Sequence, residues 1–158
     1  MEKAQEMEPG TMMKVESRRF GQIELPDDSV LEFTRPILGF PGLDKYALFK
    51  EDPEAPLFWL QSLQDPGVSF LLVDPTSVAE YVVESKEIDS AGLDLKGPSE
   101  ALVLAIVTLK NPWKESTANL RAPVVVNTRT RKAAQVVLHE DRYDTKESIF
   151  RDIAQEGR

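Results

Sequence analysis

Apolar residues along this chain recur in short runs, separated by proline, glycine and polar turn residues. The runs are rich in valine, isoleucine, leucine and aromatic residues, which favour extended strands. They predict strands at residues 13–17, 22–25, 30–33, 46–50, 58–63, 69–74, 81–85, 101–109, 123–127 and 133–139. About ten strands with only short helical turns between them predict an all-β fold, either a barrel or a sandwich.

Two of these segments are apolar on both strand faces. Residues 101–109 and 124–126 contain almost no polar side chain, which is typical of strands covered on both sides. The run at 101–109 also fits a buried helix, but its β-branched residues favour a strand. Segment 58–63 instead alternates, so that Trp59 and Leu60 are expected on opposite faces.

Three places predict short helical turns. Asp74 followed by proline suits the cap and first position of a turn over 76–81, and 89–93 can form another turn. Asp144 and Glu147 have the spacing of a capping box, which makes a helix one option for the C-terminal tail. The expected division is a flexible extension at 1–12, a β domain at 13–146 and a tail at 147–158.

The segment 114–139 has the densest pattern in the chain. A strand at 124–127, a loop at 128–131 and a strand at 132–139 predict a β-hairpin. Pro123 is expected at the first strand position, where it removes no interior ladder hydrogen bond.

Composition and charge narrow the function classes. The 158 residues suit one domain, and they contain no cysteine, so disulfide and thiolate chemistry are excluded. The net charge of −8 disfavours a nucleic-acid backbone as a partner. It suits a basic protein partner, or serves solubility alone. No apolar run approaches the roughly 20 residues of a membrane span, and the N-terminus lacks a signal peptide. A cytoplasmic protein without a membrane contact is expected.

The chain offers little catalytic chemistry. The sequence has one histidine, His139, and no nucleophile motif that this histidine could activate. A structural or surface role is therefore expected for His139. Glu51, Asp52 and Glu54 do not follow a calcium-loop spacing and suit a solvated acidic loop. A hydrolase that uses two carboxylates stays open, because their separation is a property of the fold. No catalytic, metal-binding or cofactor-binding residue is predicted.

Several non-strand residues suit contacts with a partner. Trp113 and Lys114 follow a proline in a loop, and tryptophan is enriched among binding hot spots. Phe40 belongs either to a packed turn or to an exposed apolar patch. Asn119 and Asn127 are expected to bond their own backbone at turns or strand ends. The basic residues Arg121, Arg129, Arg131 and Lys132 suit an acidic partner, RNA or simply a solvated turn.

An ordered series of motifs resembles the flagellar assembly factor FliW family. The series begins with Phe20-Gly21 and Phe33 and continues through Gly39-Phe40-Pro41-Gly42 and Trp59-Leu60-Gln61-Ser62. It then includes Ser116-Thr117-Ala118-Asn119-Leu120, Ala122-Pro123, Val126-Asn127, Gln135-Val136-Val137-Leu138-His139 and Tyr143. The likeness covers residues 14–146, and both ends of the chain fall outside it.

The resemblance implies a single compact antiparallel β-barrel-like domain that binds proteins, has no enzymatic activity and needs no cofactor. Members of the family bind flagellin and also CsrA, an RNA-binding repressor of flagellin translation. Release from flagellin allows capture of CsrA, which relieves repression by an allosteric route without direct nucleic-acid binding. The acidic charge alone would instead suggest an RNA mimic that competes for CsrA. On this basis the partner-binding residues are predicted to be Phe40, Trp113, Lys114, Asn119, Arg121 and Asn127.

Overall fold

The computed structural model describes residues 11–89, 91–139 and 143–150. Its strands are β1 (Met12–Ser17), β2 (Gly21–Pro26), β3 (Val30–Phe33), β4 (Lys45–Phe49), β5 (Leu57–Ser62), β6 (Ser69–Val73), β7 (Ala101–Thr108), β8 (Thr117–Asn127), β9 (Lys132–Gln135) and β10 (Glu147–Ser148). One short helix, α1 (Ser85–Asp89), and 3-10 turns at Asp27–Ser29, Pro75–Ser77, Pro98–Glu100 and Trp113–Glu115 complete the described elements. The all-β prediction is confirmed.

Seven strands, β3 to β9, form a closed barrel. Consecutive strands from β3 to β9 pair antiparallel, and β9 then pairs with β3 in parallel. The predicted antiparallel barrel is confirmed, with one parallel pair where it closes. This parallel pair has a topological cause: strands that alternate in direction cannot close a ring of odd number without one parallel neighbour. At this seam, Glu32 N donates to Arg131 O and Thr34 N donates to Ala133 O.

The barrel strands bury apolar residues on both faces, as predicted for β7 and β8. The interior holds Leu31, Phe33, Tyr46, Leu60, Leu72, Leu104, Val124, Val126 and Ala133. Outside the barrel, Val78 packs on Val73 and Val107, while Leu93 packs on Val125. Each large apolar side chain removed from water in this way stabilises the fold by ~1.5–3 kcal/mol.

Strand β8 differs most from its prediction. It starts at Thr117, so Pro123 lies within the strand and not at its first position. Leu104 pairs with Val124 and Ile106 pairs with Asn119, so two steps along β7 correspond to five along β8. This bulge, with three extra residues on β8, explains how the strand accommodates a proline, because a bulged position needs no ladder N–H.

Two predicted strands and one predicted helical turn also need correction. Residues 81–84 form no strand, and the short helix α1 lies at Ser85–Asp89, before the turn that was expected at 89–93. The β9 ladder ends at Gln135, although Val136 N and Leu138 N still donate to Pro123 O and Arg121 O.

The chain ends carry the remaining differences. Glu147 and Ser148 form β10 and pair with β8, so the described start of the tail is a strand and not a helix. Asp144 Oδ1 accepts a hydrogen bond from Lys146 N within a turn. Residues 151–158 and 1–10 lie outside the described residues, and Met12 of the predicted extension already pairs in β1.

Strands β1 and β2 form a separate hairpin on the outside of the barrel. Phe20 at its turn makes edge-to-face contacts with Phe49 at 5.5 Å and Trp59 at 5.1 Å between ring centroids. Arg18 N also donates to Pro66 O at 2.8 Å. These contacts hold the hairpin turn on the outer face of β4 and β5.

Candidate functional site

Strand directions place two predicted contact segments at one end of the barrel. The β3–β4 connection, which contains Phe40, and the β7–β8 connection, which contains Trp113, both emerge at this end. We call it the plugged end and define it by residues 34–44, 63–68 and 109–116. Phe40, Trp113 and Lys114, which are distant in sequence, therefore belong to one region of the surface.

Phe40 is the plug. Its half-buried ring packs against the interior cluster and makes an edge-to-face contact with Phe70 at 5.0 Å between centroids. Gly39 and Gly42 have φ values of +90° and +85°, which glycine adopts without strain. The Gly39-Phe40-Pro41-Gly42 motif is thus the turn that lets the aromatic ring fold back into the barrel opening.

A groove of about 430 Å³ runs beside this plug, and we call it the mouth groove. Its size falls within the range of ~300–1,000 Å³ that is usual for ligand clefts. One part of its lining is apolar and contains Leu38, Phe40, Phe70 and Ile106. The other part is polar and contains Thr108, Lys110, Thr117, Asn119, Thr145 and Lys146. Leu38 is 67% exposed at the groove, so the groove presents apolar surface to solvent.

Asn119 shapes one wall of the mouth groove. Its Oδ1 accepts hydrogen bonds from Arg121 N and Ala122 N, both at 3.1 Å. These bonds satisfy two backbone donors within the β8 bulge, where the regular ladder is interrupted. The prediction that Asn119 bonds the backbone at a strand irregularity is confirmed, and its amide nitrogen has no hydrogen-bond partner in the part of the chain that the structure describes.

Gln135 was not among the predicted site residues, yet it connects both sides of the mouth groove. Its Oε1 accepts from Leu38 N at 2.9 Å, and its Nε2 donates to Ala122 O at 3.0 Å. The side chain therefore ties the plug turn to the β8 bulge. In the sequence Gln135 opens the motif at 135–139 as one polar residue beside an apolar run, which is a weak signal for such a role.

Trp113 lies in an exposed 3-10 turn that precedes β8. The ring is 58% exposed and makes an edge-to-face contact with Phe150 at 4.6 Å between centroids. Ser116, which follows the turn, is buried and accepts a hydrogen bond from Lys110 N through Oγ. Trp113 and Lys114 thus present side chains to solvent from an anchored turn, and their contact with a partner stays a prediction.

Arg121 and Asn127 do not join the mouth groove. Arg121 Nε donates to Tyr143 O at 3.2 Å, and the residue lines a different groove of about 490 Å³ with Glu80 and Asp144. Asn127 is fully buried at the opposite end of β8, roughly 30 Å from Thr117 at ~3.3 Å per residue.

The hydrogen bonds of Asn127 show why it is buried. Its Nδ2 donates to Leu93 O at 2.7 Å, and its Oδ1 accepts from Arg129 N and Thr130 N. The side chain therefore organises the β8–β9 turn. The prediction of a partner contact at Asn127 is wrong, because the residue exposes no surface.

Two basic residues beside the β8–β9 turn, Arg129 and Lys132, form ion pairs with nearby carboxylates. Lys132 and Lys45 both pair with Glu32, and the hydrogen bond and charge of Lys132, with the charge of Lys45, lower the pKa of that carboxyl. Arg129 Nε lies 2.8 Å from Glu100 Oε2. The pKa of Glu100 is lowered mainly by a hydrogen bond from the Lys96 backbone N–H, and further by the hydrogen bond and charge of Arg129. Lys132 thus binds a carboxylate of β3, and Arg129 binds a carboxylate of the 3-10 turn before β7.

Little in the described part of the chain resembles a reaction centre. His139 is exposed, and its backbone N donates to Glu87 Oε2 at 3.3 Å. Within residues 11–89, 91–139 and 143–150, no group of three or more potential ligands could hold a metal ion. No helix in these ranges is long and apolar enough to cross a membrane. A cleft of about 560 Å³ lies between residues 74–98 and β7.

The fold and site define a small closed β-barrel domain with an aromatic plug and a lysine-bearing apolar groove at one end. The family model described as FliW protein matches residues 14–149, which contain the whole barrel. The chain therefore belongs to the FliW family.

Individual relatives agree with this assignment. The chain is 34% identical over 148 residues to the flagellar assembly factor FliW of Natranaerobius thermophilus, covering 92% of this chain and 98% of that protein. It is 38% identical over 145 residues to the flagellar assembly factor FliW of Bdellovibrio bacteriovorus, covering 90% and 82%. A crystal structure of the flagellar assembly factor FliW superposes with a TM-score of 0.74 at 28% identity, covering 87% and 96%.

Proposed function

We propose that this protein is a flagellar assembly factor that acts as a non-enzymatic, protein-binding regulator in the cytoplasm. In this proposal it binds flagellin and, once released, binds CsrA and antagonises its repression of flagellin translation. The observation that carries the proposal is the family match over residues 14–149. The exposed aromatic and apolar residues of the plugged end support protein binding, since such residues are enriched at interface hot spots.

The regulatory logic follows from linked equilibria. If flagellin and CsrA bind exclusively, each lowers the pool of free protein that the other can occupy. Flagellin that leaves the cell by export then raises the free pool, and CsrA is sequestered. The net charge of −8 favours encounter with a basic regulator through long-range steering.

Titration calorimetry on purified components tests the proposal. The protein should bind CsrA and flagellin in separate titrations, and protein preloaded with flagellin should give a reduced CsrA signal. Absence of binding to both partners would contradict the proposed function. Binding of both partners at once, with unchanged affinities, would retain the partners but contradict the exclusive switch.

The route of antagonism needs a different measurement. An allosteric mechanism allows a transient complex of RNA, CsrA and this protein, whereas an RNA mimic competes directly for the RNA surface. Stopped-flow release of labelled RNA distinguishes them: allosteric antagonism accelerates RNA dissociation from CsrA as the protein concentration rises. A release rate that is independent of protein concentration supports the acidic mimic instead.

The alternative of a carboxylate-dependent hydrolase gains no support from the electrostatics. A glycosidase general acid requires a raised pKa, whereas neighbouring cations and N–H groups lower the pKa values of Glu32 and Glu100. Both carboxylates serve local hydrogen bonds and ion pairs.

A further inference from the structure

The mouth groove combines apolar walls with an unusual local charge. Among the described residues that line it, Lys110 and Lys146 are basic and none is acidic. The chain as a whole has 27 acidic and 19 basic residues. The groove is therefore a cationic apolar cleft on a protein whose net charge is negative.

Three side-chain donors at this groove have no hydrogen-bond partner among the described residues: the ammonium groups of Lys110 and Lys146 and the Nδ2 of Asn119. Lys110 and Lys146 are exposed, and neither ammonium pairs with a carboxylate in the described part of the chain. Asn119 uses its Oδ1 for the β8 bulge, and its Nδ2 donates to none of the described residues. Two ammonium groups and an amide N–H together favour an anionic acceptor such as a carboxylate.

The apolar lining adds a second requirement. Leu38, Phe40, Phe70 and Ile106 line the same cleft, and Leu38 is 67% exposed. Burial of such surface favours an apolar side chain by ~25 cal/mol per Å². An occupant must therefore place an apolar side chain next to a carboxylate, as an amphipathic segment of a protein does.

We propose that the mouth groove is a docking site for a partner segment that presents an apolar side chain beside an acidic one. This inference rests on the proposed function and specifies the chemistry by which a protein partner is recognised. The apolar side chain packs against Leu38 and Phe40, while the carboxylate accepts from the lysines and Asn119. Electrostatic recognition of this kind weakens as salt rises.

Charge-reversal variants with matched controls test the ionic half of the proposal. Lys110→Glu/Lys146→Glu should weaken binding to purified flagellin or purified CsrA by about tenfold or more. Lys14→Glu/Lys86→Glu changes the net charge equally at exposed positions outside the groove and should change Kd by less than about threefold. The difference between the two double variants should shrink at high salt.

Asn119→Asp tests whether the amide donor of Asn119 contributes to binding without a change in the fold. The aspartate keeps an oxygen acceptor for Arg121 N and Ala122 N but replaces the free amide donor with negative charge. Thermal unfolding should stay close to that of the wild type, while affinity for the same partner falls.

For the apolar half of the proposal, Leu38→Ala should weaken binding. The control Val82→Ala, at a residue that is 64% exposed and lies outside the groove, should not weaken it.

The outcomes distinguish this inference from the proposed function. If the wild type binds neither protein, the proposed function fails and the inference fails with it. If the wild type binds at least one protein and the groove variants bind it as the controls do, the inference is overturned while the function stands. A selective loss of affinity in the groove variants supports both.

Discussion

Lys132 Nζ lies 2.7 Å from Glu32 Oε1 across the parallel strand pair that closes the barrel. Lys45 approaches the other carboxylate oxygen of Glu32 at 3.5 Å from the antiparallel side. Glu32 faces each lysine directly in its ladder register. One carboxylate therefore links three strands at the seam, and the two cations explain its lowered pKa.

Glu32→Gln should destabilise the protein slightly at pH 7, because the ion pairs are exposed and screened by solvent. The pKa is lowered in the folded state, so the stabilisation is present above the usual value of 4.5 and is lost as pH falls through the folded value. Denaturant unfolding should thus show wild type and variant converging in acid. Glu24→Gln, at an exposed residue of β2, is the control, and an equal effect there would contradict the seam assignment.

Tyr46→Phe should leave stability unchanged or raise it slightly at neutral pH. The hydroxyl of Tyr46 is buried in the barrel without a hydrogen-bond partner among the described residues. By contrast, Tyr81 OH donates to Leu120 O at 2.6 Å, so Tyr81→Phe should cost about 1–2 kcal/mol. Chemical denaturation of both variants measures this difference, and an equal loss in the two would contradict it.

The same tyrosine predicts a specific alkaline effect. Burial, with the nearby Asp44 charge, raises the pKa of Tyr46 to about 12 from 10.0. The folded state therefore holds its proton more tightly, and stability falls as pH rises from 10.0 towards 12. At pH 11 the wild type should lose about 1 kcal/mol relative to Tyr46→Phe. The free energies of unfolding of the two proteins are compared from pH 9 to 11, and a constant difference between them over this range would contradict the prediction.

Trp113→Ala should weaken partner binding by about tenfold while lowering the thermal midpoint only slightly. The ring is 58% exposed and contacts Phe150, a pair worth about 0.5–1.5 kcal/mol. Phe150→Ala removes the same ring contact but keeps the exposed tryptophan, so it should cost similar stability with little loss of affinity. A much larger midpoint drop for Trp113→Ala would identify the residue as part of the core.

Gln135→Leu should loosen the plug turn. The substitution removes the acceptor of Leu38 N and the donor to Ala122 O, at a cost of about 1–3 kcal/mol for buried groups left unpaired. Hydrogen exchange should accelerate at the Leu38 amide. Gln135→Glu keeps an acceptor for Leu38 N, so exchange at that amide should stay slower than in Gln135→Leu. Identical exchange in the two variants would show that Gln135 does not hold the turn.

Local patterning was enough to predict most strands and both faces of the sheet. The alternation at 58–63 predicts Trp59 and Leu60 on opposite faces, since successive side chains of a strand point in opposite directions. The structure has Leu60 inside the barrel and Trp59 outside it. Asp74 caps its turn through a hydrogen bond from Thr76 N, as the Asp-Pro pair indicates. These features depend on residues within a few positions of each other.

The site depended on contacts between distant parts of the chain. Glu32 meets Lys132 at a separation of 100 residues, and Leu38 N meets Gln135 at 97. No local sequence pattern predicts such pairs. Nor does one predict the three extra residues of the β8 bulge, because their backbone groups find hydrogen-bond partners only after folding. Periodicity and turn chemistry therefore established the strands and the family motifs. Only the closed barrel decides that Gln135 connects Leu38 to Ala122 and that Asn127 is buried at the β8–β9 turn. It also decides that Phe40 packs into the barrel end beside the mouth groove.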